Sequence, residues 1–266
     1  MSENFDLSKL EPVPETVVLP SKGVFYREMN KSLFESKGKI LIRPMTLREE
    51  MIIKSPRVIK TGQFLNILLK ECIKTPDVDP LHLLSVDRMF LFFYLRAISY
   101  GDDYMFSSQC SHCQKVSNQN IKIRSLDIKY SKETESEPIE IPLRGTKLLL
   151  RLSRGFDEEK SNEETSTVVT NRQETAPEVE QEDDGMETLK SLMSLTIDII
   201  GVPREYWKKF YETLSLIDTQ KLTDKVSELE PGLKSDITVK CPECKKTYND
   251  RVPISANFFR VPGKQI

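Results

Sequence analysis

Histidine is scarce in this chain. His82 and His112 are the only two among 266 residues, which leaves few candidates for general-base chemistry near neutral pH. A glycine-rich phosphate loop, a Gly-x-Ser-x-Gly elbow and a His-Glu-x-x-His pair are also missing. Carboxylate pairs such as Glu49-Glu50 and Asp102-Asp103 are explained by a helix start and a loop. The expectation is a protein that is not an enzyme. No apolar run approaches the roughly 20 residues of a membrane span. The longest, Met89 to Ile98, is interrupted by Arg96 and preceded by Asp87 and Arg88, so it reads as a core helix. Five cysteines are too few for a disulfide scaffold. The first residues, Met1-Ser2-Glu3-Asn4-Phe5-Asp6, lack the basic start and apolar run of a secretory signal. Both features favour a reducing compartment.

Apolar residues make up 38% and charged residues 30%, the balance of a water-soluble chain, and fifteen prolines point to short elements. The length suits one large or two modest domains. A net charge of −2 hides an asymmetry: Asp157 to Asp184 carries eleven acids against Lys160 and Arg172, so this stretch holds −9 and the rest +7. Its apolar residues are scattered and too few to offset the entropy of ordering it. Residues 157–186 are therefore expected to form a disordered acidic linker, cut first by proteases and dispensable for folding. The positive remainder is too diffuse to single out nucleic acid as a partner.

Pro12, Pro14 and Pro20 mark an extended arm over residues 1–20, closed by the turn Pro20-Ser21-Lys22-Gly23. A strand is expected at Lys39 to Arg43. Thr46-Leu47-Arg48-Glu49 has capping-box spacing and should open a helix. Gln63 to Ile73 is amphipathic, with Cys72 on its buried stripe. Asp79-Pro80 should start another helix, and Ser85 to Ser99 a strongly apolar one that Gly101 ends in the left-handed conformation. Ile139 to Leu143 and Lys147 to Leu152 read as a hairpin. Beyond the linker, helices are expected at Glu187 to Ile200, Pro203 to Leu216 and Thr219 to Leu229, the last capped by Asp218. Trp207, Phe210, Tyr211 and Leu214 share one face of the second. That face is the candidate partner surface, with core packing as the alternative.

The cysteines carry the sharpest signal. Cys110-Ser111-His112-Cys113 and Cys241-Pro242-Glu243-Cys244 are two Cys-x-x-Cys turns 127 residues apart, each between extended segments (Tyr104 to Ser107 and Asn120 to Ile128; Asp236 to Lys240 and Lys246 to Pro253). Such turns each offer two thiolates from one bend, and two of them complete a tetrahedral zinc shell. Four thiolates leave no open position, so the zinc would be structural. His112 would be a ligand only if a cysteine failed. Thioredoxin-type redox chemistry needs its motif at a helix start, which neither pair has. Within one chain or between two, the metal would be shared by both turns.

Several segments together resemble a known family. They are Pro20-Ser21-Lys22-Gly23, Ile42 to Glu50 (Ile-Arg-Pro-Met-Thr-Leu-Arg-Glu-Glu), Asp87-Arg88, and Arg96 to Tyr104 (Arg-Ala-Ile-Ser-Tyr-Gly-Asp-Asp-Tyr) ahead of Cys110. With Cys241-Pro242-Glu243-Cys244 and Phe258-Phe259-Arg260, the pattern is similar to the baseplate hub assembly proteins of T-even-type contractile-tailed bacteriophages. The resemblance implies a viral protein made in the host bacterial cytoplasm that helps to build the hub, either staying in the tail baseplate or acting on it, with other baseplate hub proteins as partners. It carries over no catalytic residue. The expected fold is α+β: a helical body with short strands and a zinc-ribbon-like pair of knuckles that joins an N-terminal half, 21–156, to a C-terminal part, 187–266. A zinc-ribbon adaptor for nucleic acid or a transcription or translation complex is the alternative, and a thiol-disulfide enzyme a third.

Overall fold

The computed structural model describes residues 11–55, 58, 63–160, 184–254 and 258–259. Residues 1–10 of the expected arm and 161–183 of the expected linker lie outside the described residues. The linker's edges differ from expectation. Residues 155–160 are helical, and a helix begins at Asp184. The first edge is held because its charges are paired: Asp157 meets Arg151 at 2.6 Å and Glu158 meets Arg88 at 3.0 Å.

Strand β1 (Glu15–Val18) pairs antiparallel with β2 (Lys39–Ile42), whose alternation turns Ile40 and Ile42 inward. Between them the Pro20–Gly23 turn leads through a 3-10 turn, Val24–Tyr26, into α1 (Lys31–Glu35). Gly23 has φ 77°, and a Cβ there would sit 2.5 Å from the Leu33 carbonyl oxygen, so only glycine fits. Helix α2 (Leu47–Ile53) opens on the expected capping box. Glu49 accepts from the Thr46 amide at 2.7 Å and from Arg43 at 3.0 and 3.1 Å. Burial alone would raise the Glu49 carboxyl, but the hydrogen bonds from Arg43 and Thr46 outweigh it and bring it to about 2.

Helix α3 (Phe64–Cys72) buries Leu68, Leu69 and Cys72. Burial pushes the Cys72 thiol up to about 12, which makes it an inert core group. Asp79-Pro80 starts only one 3-10 turn, Pro80–His82, because Leu83 and Leu84 are extended before the next helix. That helix, α4 (Ser85–Tyr100), is buried on most sides. At its end Gly101 has φ 92°, the left-handed side expected of it, with ψ 164° carrying the chain out of the helix rather than into a helical cap. The chain runs from there directly into strand β3 (Asp103–Gln109), which pairs with β4 (Val116–Lys122).

After a short β5 (Ile128–Lys129), β6 (Ile139–Leu143) and β7 (Thr146–Leu150) form the expected hairpin. Arg144 and Gly145, at φ 49° and 81°, provide the left-handed residues that a two-residue hairpin turn requires. Helix α5 (Asp184–Leu195) stops earlier than expected, and Thr196–Ile199 becomes β8, the third strand of that sheet. The β-branched Thr196, Ile197 and Ile199 favour this, and pairing of Ile199 with Leu148 fixes it. Helices α6 (Trp207–Glu212) and α7 (Leu216–Leu229) follow. Ser215, not Asp218, caps α7: its hydroxyl accepts from the Asp218 amide at 3.2 Å. Strand β9 (Gly232–Leu233) pairs with β5, and β10 (Asp236–Lys240) with β11 (Thr247–Arg251). Mixed helices and short strands thus make an α+β fold whose two Cys-x-x-Cys pairs join its halves.

Helix α4 faces two apolar clusters. Phe90, Leu91 and Leu95 belong to the larger, while Phe92, Phe93 and Ala97 meet Tyr104, Phe106, Val252 and Phe258 in the second. The helix also carries buried charge into the core. Asp87 accepts from the Ser21 amide at 3.0 Å and the Tyr26 hydroxyl at 2.7 Å, and burial raises its carboxyl to about 6. The folded chain therefore keeps a proton there between about pH 4 and 6 that the unfolded chain has lost. Stability that Asp87 confers in acid declines as pH rises through that window. Denaturant unfolding at pH 4 and pH 7 should show wild type losing on the order of 3 kcal/mol relative to Asp87→Asn. Parallel pH dependence of the two proteins would refute this account.

Candidate metal centre

The two Cys-x-x-Cys turns sit at the tips of hairpins β3–β4 and β10–β11, built alike. Six residues separate the last paired positions in each, Gln109 from Val116 and Lys240 from Thr247. Cys110 N donates to the Lys115 carbonyl at 3.0 Å and Cys241 N to the Lys246 carbonyl at 2.9 Å. Gln114 and Lys245, each following the second cysteine of its turn, are left-handed at φ 61° and 63°. This bend folds each tip so that amides turn toward sulfur: His112 N lies 3.4 Å from Cys110 Sγ.

The four sulfurs meet. Cys110 Sγ is 3.7 Å from Cys244 Sγ, Cys113 Sγ is 3.7 Å from Cys241 Sγ, and all four lie within 4.8 Å of one another. A disulfide would need about 2.05 Å. Sulfurs bound at about 2.3 Å to one tetrahedral ion stand about 3.8 Å apart. The two 3.7 Å separations match the second geometry, and with all four sulfurs this close Cys110, Cys113, Cys241 and Cys244 could hold a metal ion. Cys110 and Cys241 are buried, and Cys113 and Cys244 are half-buried. Hydrogen bonds from the amides of Cys244 and Glu243 outweigh burial and bring the Cys241 thiol down to about 7. His112 is turned away, its Nε2 3.1 Å from the Thr247 carbonyl oxygen.

Around the sulfurs, the hairpins are stitched by contacts that the cysteine spacing did not announce. The Ser108 hydroxyl meets the Tyr248 hydroxyl at 2.7 Å and also the Asp250 carboxylate. Lys115 pairs with Glu243 at 2.9 Å across the tips. Near the base, the Tyr104 hydroxyl donates to the Pro253 carbonyl at 2.8 Å. Strand alternation places Ser108 and Tyr248 on inward faces, and this was the available signal for them.

The other candidate residues lie elsewhere. Trp207 and Tyr211 are buried in the larger core, and Phe210 and Leu214 pack against it. Trp207 Nε1 donates to the Val202 carbonyl at 3.0 Å, and the Tyr211 hydroxyl meets that of Thr196. The face expected as a partner surface is thus turned inward, since α6 and α5 cover each other's apolar stripes. The segments behind the family resemblance hold much of the buried polar network: Ser21 with Asp87, Arg43 with Glu49, and Arg96 with the Gly101 and Asp103 carbonyls.

An α+β body closed by two facing Cys-x-x-Cys hairpins defines a protein with a ribbon-type cluster of four cysteines that could hold a metal ion. The model of the T4 bacteriophage base plate protein family matches residues 25–260, and the chain belongs to that family. Comparison with curated proteins and with solved structures gave no match. The family implies a structural or assembly role beside other phage baseplate proteins in the virion tail baseplate. Among the described residues, no helix is long and apolar enough to cross a membrane.

Proposed function

We propose that this baseplate protein serves the hub as a non-enzymatic structural or assembly component, joining other hub proteins in the host bacterial cytoplasm while the tail is built. A structural zinc held by Cys110, Cys113, Cys241 and Cys244 stabilises it. The observation that carries the reading is the closed set of four sulfurs, two pairs at 3.7 Å, in a chain of the baseplate family. An all-thiolate shell suits zinc and leaves no position for water or substrate, so the ion's work is to bond two hairpins that are distant in sequence. Because the ligands must be thiolates, protons compete with zinc, and bound metal should leave as pH falls. A chromogenic chelator at graded pH reads that release; retention of metal independent of pH would contradict thiolate ligation.

The functional test is a phage lacking this chain. Infected cells should accumulate other tail parts without finished hubs, and supplying the chain in trans should restore them. Normal baseplates would refute the reading. Salt-dependent binding of the purified chain to nucleic acid would then support the adaptor alternative.

A further inference from the structure

The two ribbon hairpins share a framework but differ in their surfaces. Counted from their cysteines, Ser107 and Asn118 correspond to Thr238 and Asn249, and each pair makes the same cross-strand contact at 3.0 Å. The flanking exposed positions diverge. Where the second hairpin has the ion pair Asp236–Arg251 at 3.1 Å and also Lys240, the first has Met105, Asn120 and Gln109. Met105 and Val116 are 51% and 65% exposed. Charges on an edge are a common device that keeps foreign strands from pairing. On the strand that corresponds to β4, β11, Arg251 supplies that device, whereas β4 has Asn120 at the matching position and no charge until Lys122; Asp236 and Lys240 lie on β10.

The backbone points the same way. Cys110 N donates to Lys115 O, and Ile123 N to Asp102 O, both at 3.0 Å, which fixes the alternation of bonded pairs along β3–β4. By that alternation Ser117, Gln119 and Ile121 bond to β3, while the N–H and C=O groups of Val116, Asn118, Asn120 and Lys122 point off the sheet. Among the described residues these outward groups have no backbone partner, the Lys122 carbonyl accepting instead from the Ser125 hydroxyl at 2.7 Å, and no residue of β4 is buried.

We propose that the outer edge of β4 is an assembly site that takes an extended segment of another baseplate protein as a third strand. The partner's class rests on the baseplate reading; the open edge does not. What the edge recognises is the amide ladder of an extended chain. Uncharged neighbours are required, since a charge beside Val116, Asn118 or Asn120 would meet no counter-charge on this strand. Ile121, packed against the aromatic cluster, offers inward-facing side chains of the added strand an apolar neighbour. A second copy of the chain fits less well. Two rigid bodies meeting along seven residues would cover only part of the ~1,200 Å² that stable association needs, whereas an extended segment can continue over the surface.

The test follows amide exchange of the full chain with peptides of about 12 residues tiled across the other baseplate proteins of the phage. At least one peptide should slow exchange at Val116, Asn118, Asn120 and Lys122 by about tenfold or more. Asn118→Pro should abolish that protection, while Asn249→Pro, the matched change in the second hairpin, should leave it. Neither proline removes a ladder bond, because both N–H groups point off their sheets. Metal content reports whether each variant keeps its hairpins, and the double variant Asn118→Lys, Asn120→Lys replaces Asn118→Pro if that chain fails to fold. The proposal is overturned if no peptide protects these amides, if Asn118→Pro still binds, or if protection comes with chain concentration alone, the mark of a second copy. Lack of protection alongside defective baseplates in the deletion phage refutes the edge alone. Normal baseplates refute the baseplate reading.

Discussion

Cys113→Ser should emerge from purification without stoichiometric metal and melt more than about 10 °C below wild type. Among the described residues, the apolar cluster under the ribbon has Cys110, Val239, Cys241 and Tyr248 as its buried members, so two of the four are proposed ligands. So small a cluster cannot hold two hairpins together unaided. Apparent binding free energies of structural zinc sites run to about 10–16 kcal/mol, and at the proposed site that energy would be available only when both hairpins are folded against each other. Cys244→Ser should behave alike, because Cys244 faces Cys110 as Cys113 faces Cys241. Cys72→Ser is the control: it places a hydroxyl in an apolar site and lowers stability by about 1–3 kcal/mol, yet metal content stays at the wild-type value. Retention of metal and a normal melt by Cys113→Ser would contradict the assignment of ligands.

Arg96→Ala should destabilise the chain by about 3–5 kcal/mol. The Arg96 side chain is fully buried, and it donates from Nε to the Phe258 carbonyl at 3.1 Å, from Nη2 to the Asp103 carbonyl at 2.9 Å, and from Nη1 to the Gly101 carbonyl. One guanidinium thus ties the end of α4, the start of β3 and the segment after β11. Phe258 fills the same corner, with ring centroids 5.0 Å from Phe92, Phe93 and Tyr104. Truncating Arg96 strands three carbonyls and opens a cavity beside these rings. Arg96→Lys should recover little, since an ammonium cannot reach in three fixed directions. Chemical denaturation reads the loss, and proteolysis near residue 254 reads release of the C-terminal segment. A variant within about 1 kcal/mol of wild type would show that water or neighbouring groups replace the guanidinium.

How far these features were legible in the sequence depends on how local they are. Cysteine spacing, the Thr46 capping box and the Arg144-Gly145 turn are set by neighbours a few positions apart, and each formed where the sequence placed it. Thr196–Ile199 was misread because a helical period runs into it from α5; only β7, far back in the chain, makes it a strand. The Trp207 face was legible as a stripe but not as inside or outside, since a stripe is the same whether a helix of this chain or another protein covers it. In sequence, Arg88 only precedes an apolar run and Arg96 only interrupts it. In the fold they bring hydrogen-bond donors to carbonyls that close the core, at Pro80 for Arg88 and Phe258 for Arg96, and composition alone cannot name such partners.

One ion is proposed to join the two hairpins of a single chain. Native mass spectrometry of the purified chain, paired with alkylation of the native protein, tests it most directly. The account predicts a monomer carrying one zinc, with Cys110, Cys113, Cys241 and Cys244 protected until a chelator is added. A metal-free chain whose four ribbon thiols react at once, or a zinc found only in a dimer, would contradict it.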